Sequence, residues 1–107
     1  MCAISLLSCS ERKYATIRND SGNAMSNIVL SGSGFSERIG ALFPGAQYSF
    51  APHPHGESGL RVEFDAAGQH YDSGEEGYFE SSDYDVSVVV EPNMKISVDT
   101  ALRHRPY

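Results

Sequence analysis

Apolar and polar residues alternate in short runs along most of the chain, and clusters of turn-forming residues separate the runs. From residue 14 onward, no window of about 11 residues repeats its apolar positions with the period of an amphipathic helix. The clearest alternation places Leu60, Val62 and Phe64 on one face of an extended segment, with charged residues between them. A period of two residues is typical of a half-buried strand. The pattern therefore predicts a protein built from β-strands.

The turn signals divide the chain into separate strands. Clusters of Gly, Pro, Asn and Asp interrupt the apolar runs, and Pro44-Gly45 is the strongest single turn signal. We predict strands over residues 14–19, 25–31, 35–42, 47–51, 60–65, 84–90 and 95–99, with a return strand that begins over residues 69–72. The polar residues 73–83 are predicted to be a connection that holds at most a short strand or one helical turn.

The third predicted strand contains one charged residue on its apolar face. Phe35, Ile39 and Ala41 are expected to face inward, and Glu37 falls on the same side of the alternation. A charge at an inward position indicates a sheet edge or a bulge nearby.

The number and spacing of the strands predict the fold class. Seven to eight short strands, with turn signals every 8–12 residues or so, are typical of a small antiparallel β-sandwich of immunoglobulin-like topology. The chain has no Trp, so the Cys-Trp-Cys hallmark of antibody domains is missing. A small closed barrel is the alternative. We expect the sandwich domain to cover residues 14–100, with a flexible tail over residues 101–107.

Composition narrows the class of protein. The chain has 107 residues, of which 40% are hydrophobic, so it fits one domain with a packed core. The formal net charge of −6 argues against nucleic acid as a partner, because nucleic-acid binding needs a basic surface. No apolar run approaches the ~18 residues of a membrane-spanning helix.

The first residues resemble a bacterial secretion signal. The sequence Leu6-Leu7-Ser8-Cys9 resembles the lipobox of small bacterial lipoproteins, which places Leu three residues before the acylated Cys and a small residue just before it. The resemblance implies cleavage before Cys9, lipidation of Cys9, residues 1–13 as signal remnant and tether, and a periplasmic or outer-membrane-anchored domain. A basic region before the apolar run is part of such signals, and residues 1–8 contain no Lys or Arg. A cytoplasmic protein with an unstructured first segment is the alternative.

Acidic residues are concentrated in the second half of the chain. Between Val62 and Met94 there are nine Asp and Glu residues and no Lys or Arg. Tyrosines lie among these acids, and such side chains provide apolar contact area beside charge. The stretch is a solvated acidic connection, it docks a basic partner protein, or its many oxygen ligands bind calcium, although Asp72-Ser73-Gly74-Glu75-Glu76 does not match the EF-hand spacing. For the second interpretation we predict the partner-binding residues Asp72, Glu75, Glu76, Tyr78, Phe79, Glu80, Asp83 and Tyr84.

A second candidate site is a pair of histidines. In His53-Pro54-His55 the two imidazoles lie two residues apart in an extended segment, which is half of a possible zinc or copper site. Glu57 or His70 is the candidate third ligand. An exposed loop braced by proline is the alternative.

These features together favour a protein that works by binding. No nucleophile motif, phosphate loop or dinucleotide motif is present, so we expect neither an enzyme nor a cofactor. The leading hypothesis is a monomeric envelope protein of the inhibitor or immunity type that docks a basic partner. The alternatives are a metal-binding envelope protein that uses His53 and His55, and a structural accessory subunit of an envelope complex.

Overall fold

The computed structural model describes residues 12–103, which form two packed four-stranded sheets. No part of this range forms a helix that could cross a membrane. The predicted fold class, a small all-β sandwich, is confirmed. The strands are β1 (Ala15–Asn19), β2 (Met25–Gly32), β3 (Phe35–Leu42), β4 (Gln47–Phe50), β5 (Ser58–Ala66), β6 (Gln69–Phe79), β7 (Tyr84–Val90) and β8 (Ile96–Leu102).

Each of the two sheets contains four strands. One sheet has the order β4-β1-β7-β8, and the other has the order β3-β2-β5-β6. All neighbouring strands are antiparallel except β1 and β7, which run parallel with Ala15 beside Val86. Glu37 was expected near a sheet edge, and β3 is indeed an edge strand, where Glu37 accepts a hydrogen bond from the Tyr48 hydroxyl.

Alternating side chains from both sheets meet to form one core. Inward positions of the strands are buried because burial of apolar area is the main favourable contribution to folding. The Phe64 ring stacks on Tyr71 of the neighbouring strand, with 5.2 Å between centroids. The buried apolar residues are Tyr14, Ala15, Ile17, Met25, Ile28, Leu30, Leu42, Phe50, Leu60, Val62, Phe64, Ala66, Phe79, Val86, Val88 and Val90.

A buried asparagine ties the turns together at one end of the sandwich. Asn19 is fully buried, and its side-chain amide donates to the carbonyl oxygens of Leu42 (2.9 Å) and Asn23 (2.7 Å). Its Oδ1 accepts hydrogen bonds from the backbone N–H and the hydroxyl of Ser21. All hydrogen-bonding groups of the Asn19 side chain therefore have partners, as a buried amide requires.

A bulge in β2 explains why the predicted inward face of β3 is wrong at one end of the strand. The pairing of β2 with β5 shifts between Ser26 and Val29, and Asn27 there has a φ of 50°. Ala41 was predicted to face inward, but it is exposed and Leu42 is buried instead. β3 keeps an unbroken register with β2, so its alternation changes sides where β2 bulges.

Strand β6 is longer than predicted and occupies most of the predicted polar connection. Its eleven residues lie beside the nine residues of β5, and the register shifts twice along the pair. Gly74 and Gly77 have φ values of 68° and 76°, which only glycine adopts without strain. These two glycines mark bulges in a continuous strand; they do not end it.

The second bulge lies where β6 packs closely against β8, at one side of the sandwich. A Cβ atom on Gly77 would lie 2.8 Å from Cγ2 of Thr100, so the two strands approach closely only because residue 77 is glycine. The backbone N–H of Tyr78 donates to the Thr100 hydroxyl over 3.1 Å. β8 was predicted to end at Asp99 but continues to Leu102, past the expected domain end at residue 100.

Candidate functional site

An open pocket lies where β5 begins and β6 ends. Its volume is about 290 Å³, and its walls are Glu57, Ser58, Gly59, Glu75, Gly77 and Tyr78. A Cβ atom on Gly59 would lie 2.5 Å from Cγ of Glu75. The Glu75 side chain can therefore lie across β5 because residue 59 has no side chain.

The carboxylates of the pocket take part in no ion pair of the described residues. The backbone N–H of Gly59 donates to Oε2 of Glu75 over 3.3 Å, which orients this carboxylate. Within residues 12–103, no ion pair between side chains includes Glu57 or Glu75. The pocket walls therefore carry negative charge from Glu75 of β6 and from Glu57 in the loop before β5, and no ion pair of residues 12–103 offsets it.

Tyr78 at the wall of the pocket packs against a second tyrosine, Tyr84. Tyr78 is 42% exposed, and its ring meets the ring of Tyr84 edge to face, with 6.0 Å between centroids. Partial desolvation raises the pKa of the Tyr78 hydroxyl above its usual value, and the nearby carboxylates of Glu57 and Glu80 raise this pKa further. Carboxylates act in this direction because they disfavour the phenolate anion. The Tyr78 ring therefore lies in a region of negative potential.

We call Glu57, Glu75, Tyr78, Glu80 and Tyr84 the acidic tyrosine surface. It combines two aromatic rings with three carboxylates at one end of the sandwich.

The structure brings together only part of the predicted partner-binding set. Glu75, Tyr78, Glu80 and Tyr84 belong to the acidic tyrosine surface. Asp83 lies beside it in the turn between β6 and β7, where its carbonyl oxygen accepts a hydrogen bond from the N–H of Arg103. Glu76 is exposed on β6, opposite Leu60.

Phe79 is not at the surface, contrary to the prediction. It is completely buried, and its ring packs edge to face against Phe35 (5.9 Å) and Tyr14 (6.3 Å). Within the last residues of β6 the alternation turns Tyr78 outward and Phe79 inward. Phe79 therefore supports the surface from below and cannot contact a partner directly.

Asp72 is also separate from the acidic tyrosine surface, because it is paired. Its carboxylate accepts hydrogen bonds from the Arg61 guanidinium, with 3.0 Å from Nε to Oδ1. The Arg61 hydrogen bond, together with one from the N–H of Gly74, lowers the pKa of Asp72 to about 2. Arg61 lies 3.5 Å from Glu63 as well, so one guanidinium offsets two carboxylates on the outer face of β5 and β6.

His70 extends this paired cluster. Its Nδ1 lies 2.7 Å from Oδ1 of Asp65, and its Nε2 lies 3.5 Å from Oε1 of Glu63. The hydrogen bond with Asp65 is the main cause that raises the pKa of His70 above its usual value. The pKa of Asp65 is lowered, first by a hydrogen bond from Asn27 and then by the one from His70. We call Arg61, Glu63, Asp65, His70 and Asp72 the paired ladder.

Two contacts at this end of the sandwich had no signal in the sequence. Arg12 reaches across the sandwich end to Asp85, with 2.8 Å between Nη1 and Oδ1, and donates to the carbonyl oxygen of Tyr84. It thereby neutralises one acid of the acidic stretch. Glu57 lies outside that stretch, and only the fold brings it beside Tyr78. Contacts between residues so far apart in sequence depend on the strand topology.

The predicted histidine pair lies in the loop between β4 and β5. Both His53 and His55 are exposed, and the His55 ring packs against Gly34, where a Cβ atom would lie 2.4 Å from the ring. His70, a candidate third ligand, is engaged in the paired ladder. Across residues 12–103, no three His, Cys, Asp or Glu side chains are grouped so that they could hold a metal ion. Cys9, the predicted lipidation site, lies outside the described residues.

The fold and the site define a small two-sheet β-sandwich with an exposed acidic and aromatic surface at one end. A comparison with protein-family models, curated proteins and solved structures finds no match for this chain.

Proposed function

We propose that this protein is a non-enzymatic binding domain that docks a basic partner protein through the acidic tyrosine surface. The observation that carries the proposal is the exposed Tyr78 ring, which lies among three carboxylates that no cation of residues 12–103 neutralises. Carboxylates steer the encounter with a basic surface, and tyrosines give contact area at low entropic cost.

The pocket gives this surface a specific way to bind. A Lys or Arg side chain of the partner would enter between Glu57 and Glu75 and lie against the Tyr78 ring. Each contact then serves the same cation, because the carboxylates attract it and the ring face adds a cation–π interaction of about 0.5–2 kcal/mol. The rigid edge-to-face contact between Tyr78 and Tyr84 holds the ring in place before the partner arrives.

The most concrete version of this function is an inhibitor or immunity-type protein of the bacterial envelope. The small size, the negative charge and the lipobox resemblance at Cys9 support it, because such a protein would neutralise a cationic enzyme at the place where that enzyme acts. In this version the domain is periplasmic or anchored to the outer membrane through Cys9. A structural accessory subunit of an envelope complex would use the same surface without inhibiting its partner.

Charge reversal on the acidic tyrosine surface tests the proposal. The full chain is immobilised and exposed to lysate of the native host at low and at high salt, and the retained proteins are identified by mass spectrometry. We expect a basic protein that the unmodified chain retains and that high salt releases. The double variant Glu57→Lys, Glu80→Lys is expected to retain at least about tenfold less of it.

The matched control carries the same charge change at the opposite end of the sandwich. In the variant Asp20→Lys, Glu91→Lys both substitutions lie in turns away from Tyr78, next to the ends of β1 and β7. This control should retain the partner as the unmodified chain does. Equal loss in both variants would mean that only net charge matters, and equal retention in both would contradict the proposed surface.

A further inference from the structure

The part of the sandwich formed by residues 12–103 has four edge strands, and three of them carry a feature that discourages pairing with another strand. Exposed edges present unpaired backbone groups, so proteins protect them with short strands, inward charges or bulges. β4 has only four residues, β3 carries the inward Glu37, and β6 contains the bulges at Gly74 and Gly77.

The fourth edge, β8, has none of these features. It runs for seven residues, and its register with β7 is unbroken from Ile96 to Leu102. None of its residues has a positive φ. Its one charged residue, Asp99, is exposed, and Leu102 at its end is 64% exposed. A regular strand of this length is long enough to pair with a further strand.

The hydrogen bonds at the two ends of β8 show which backbone groups are available. Lys95 accepts a hydrogen bond from the N–H of Glu91, and Arg103 donates to the carbonyl oxygen of Asp83. Odd-numbered residues of β8 therefore point their backbone groups toward β7. In an antiparallel pair these directions alternate, so the N–H and C=O groups of Ile96, Val98 and Thr100 point away from the sheet.

The neighbouring strand β6 leaves this edge accessible. The N–H of Tyr78 binds the side-chain hydroxyl of Thr100 and not its backbone. Gly77 approaches Val98 and Thr100 through their side chains, which face the interior of the sandwich. The contacts between β6 and β8 therefore lie on the inner face of β8, and not along the line on which a further strand would pair.

We propose that a second copy of this chain pairs with β8 in an antiparallel arrangement centred on Val98. Val98 then exchanges both hydrogen bonds with Val98 of the second copy, and Ile96 does so with Thr100. On the exposed face Ser97 lies opposite Asp99, and Lys95 lies diagonal to Asp99. No two like charges lie directly opposite each other, and the two sheets join into one continuous sheet across a two-fold axis.

The self-complementary register is the reason to assign this edge to a second copy. Asp99 of β8 and Lys95, the residue just before β8, supply the two members of each opposite-charge pair at the spacing that two-fold symmetry requires. A single pair of edge strands covers less area than a standard protein interface, so the dimer is expected to be weak and reversible. This inference is independent of the acidic tyrosine surface and goes beyond the proposed function.

Sedimentation equilibrium of the full chain under reducing conditions tests the dimer. We expect the average mass to rise from that of the monomer toward that of the dimer between about 10 µM and about 1 mM. Higher salt should favour the dimer, because each copy carries a net charge of −6 and salt screens the repulsion between the copies. Docking of a basic partner responds to salt in the opposite direction, which separates the two proposals.

Three variants locate the interface. Val98→Pro removes an N–H that points away from β7, so the sandwich should stay folded while dimerisation weakens at least about tenfold. Asp99→Lys leaves the backbone intact but places two lysines on the diagonal, and it should weaken the dimer several-fold. Glu57→Lys makes the same charge change on the acidic tyrosine surface, and because it also lowers the net negative charge it should leave the dimer at least as strong as in the unmodified chain.

Two results would overturn the proposal. One is a monomer at every concentration and salt. The other is an Asp99→Lys variant that dimerises as well as Glu57→Lys does, which remains decisive if Val98→Pro fails to fold.

Discussion

Both halves of strand β6 contain acidic residues, but among residues 12–103 ion pairs offset the carboxylates only in the first half. In the first half, Asp72 and His70 belong to the paired ladder, where Arg61 and the imidazole offset the carboxylates. In the second half, Glu75 and Tyr78 line a pocket without a cation from residues 12–103. The bulge at Gly74 separates the two regions.

This difference shows that the number of acids in a segment does not determine its surface potential. The paired half contributes to the sheet through cross-strand contacts, which stabilise it modestly because they are exposed. In the second half, the Glu75 carboxylate accepts a hydrogen bond from the N–H of Gly59, but no ion pair of residues 12–103 offsets its charge. Uncompensated charge of this kind is more useful for attracting a partner than for holding the protein together.

The largest expected difference in stability is between substitutions of two neighbouring residues at the end of β6. Phe79→Ala empties a buried site between Tyr14 and Phe35 and should lower the free energy of unfolding by about 3–5 kcal/mol. Tyr78→Ala removes a partly exposed ring and should change this free energy by only about 0.5 kcal/mol. Urea denaturation of both variants measures the difference. Similar losses for the two would contradict the assignment of Phe79 to the core and Tyr78 to the surface.

The two bulges should differ in their sensitivity to substitution. Gly74→Ala adds a Cβ in open space at a positive φ and should cost about 1 kcal/mol of unfolding free energy. Gly77→Ala has the same backbone strain and also presses against Thr100, so its cost should reach about 2 kcal/mol. The urea midpoints of the two variants test this order. Equal urea midpoints would show that β8 moves away from the added methyl group without a further loss of stability.

The smallest expected effect is a pH dependence confined to the paired ladder. The pKa of His70 is higher in the folded chain than in the unfolded chain, so protonation stabilises the fold. This stabilisation is complete below the ordinary histidine pKa and disappears as pH rises through the raised value. His70→Asn should therefore lower the urea midpoint at about pH 5.5 and leave it unchanged at about pH 8.5. A loss of equal size at both pH values would assign His70 a purely packing role.

Much of the fold follows from local patterns. The alternation of Leu60, Val62 and Phe64 correctly predicts the inward face of β5. The Pro44-Gly45 turn connects β3 to β4 as expected, with a φ of 83° at Gly45. Glu37 correctly marks an edge strand. These features depend on residues close together in sequence, where side-chain period and backbone preference determine the structure.

The errors lie where tertiary contacts override the local pattern. Gly74 and Gly77 have the composition of turns, yet β5 holds them in one strand as bulges. Because each bulge changes the alternation, Phe79 could not be assigned to the core from its neighbours in sequence. The approach of Glu57 to Tyr78 depends on the meeting of β5 and β6, which single-sequence patterns do not encode.

The parallel pairing of β1 with β7 has a consequence for how the protein is made. Ala15 leaves the ribosome long before Val86, its neighbour in the sheet, has been translated. Until then β1 can pair only with β4, and one of its edges stays open. Contacts between such distant residues slow folding. The sheet that contains β1 is therefore completed only after β7 has been translated, and until then the open edge of β1 can pair with strands of other chains.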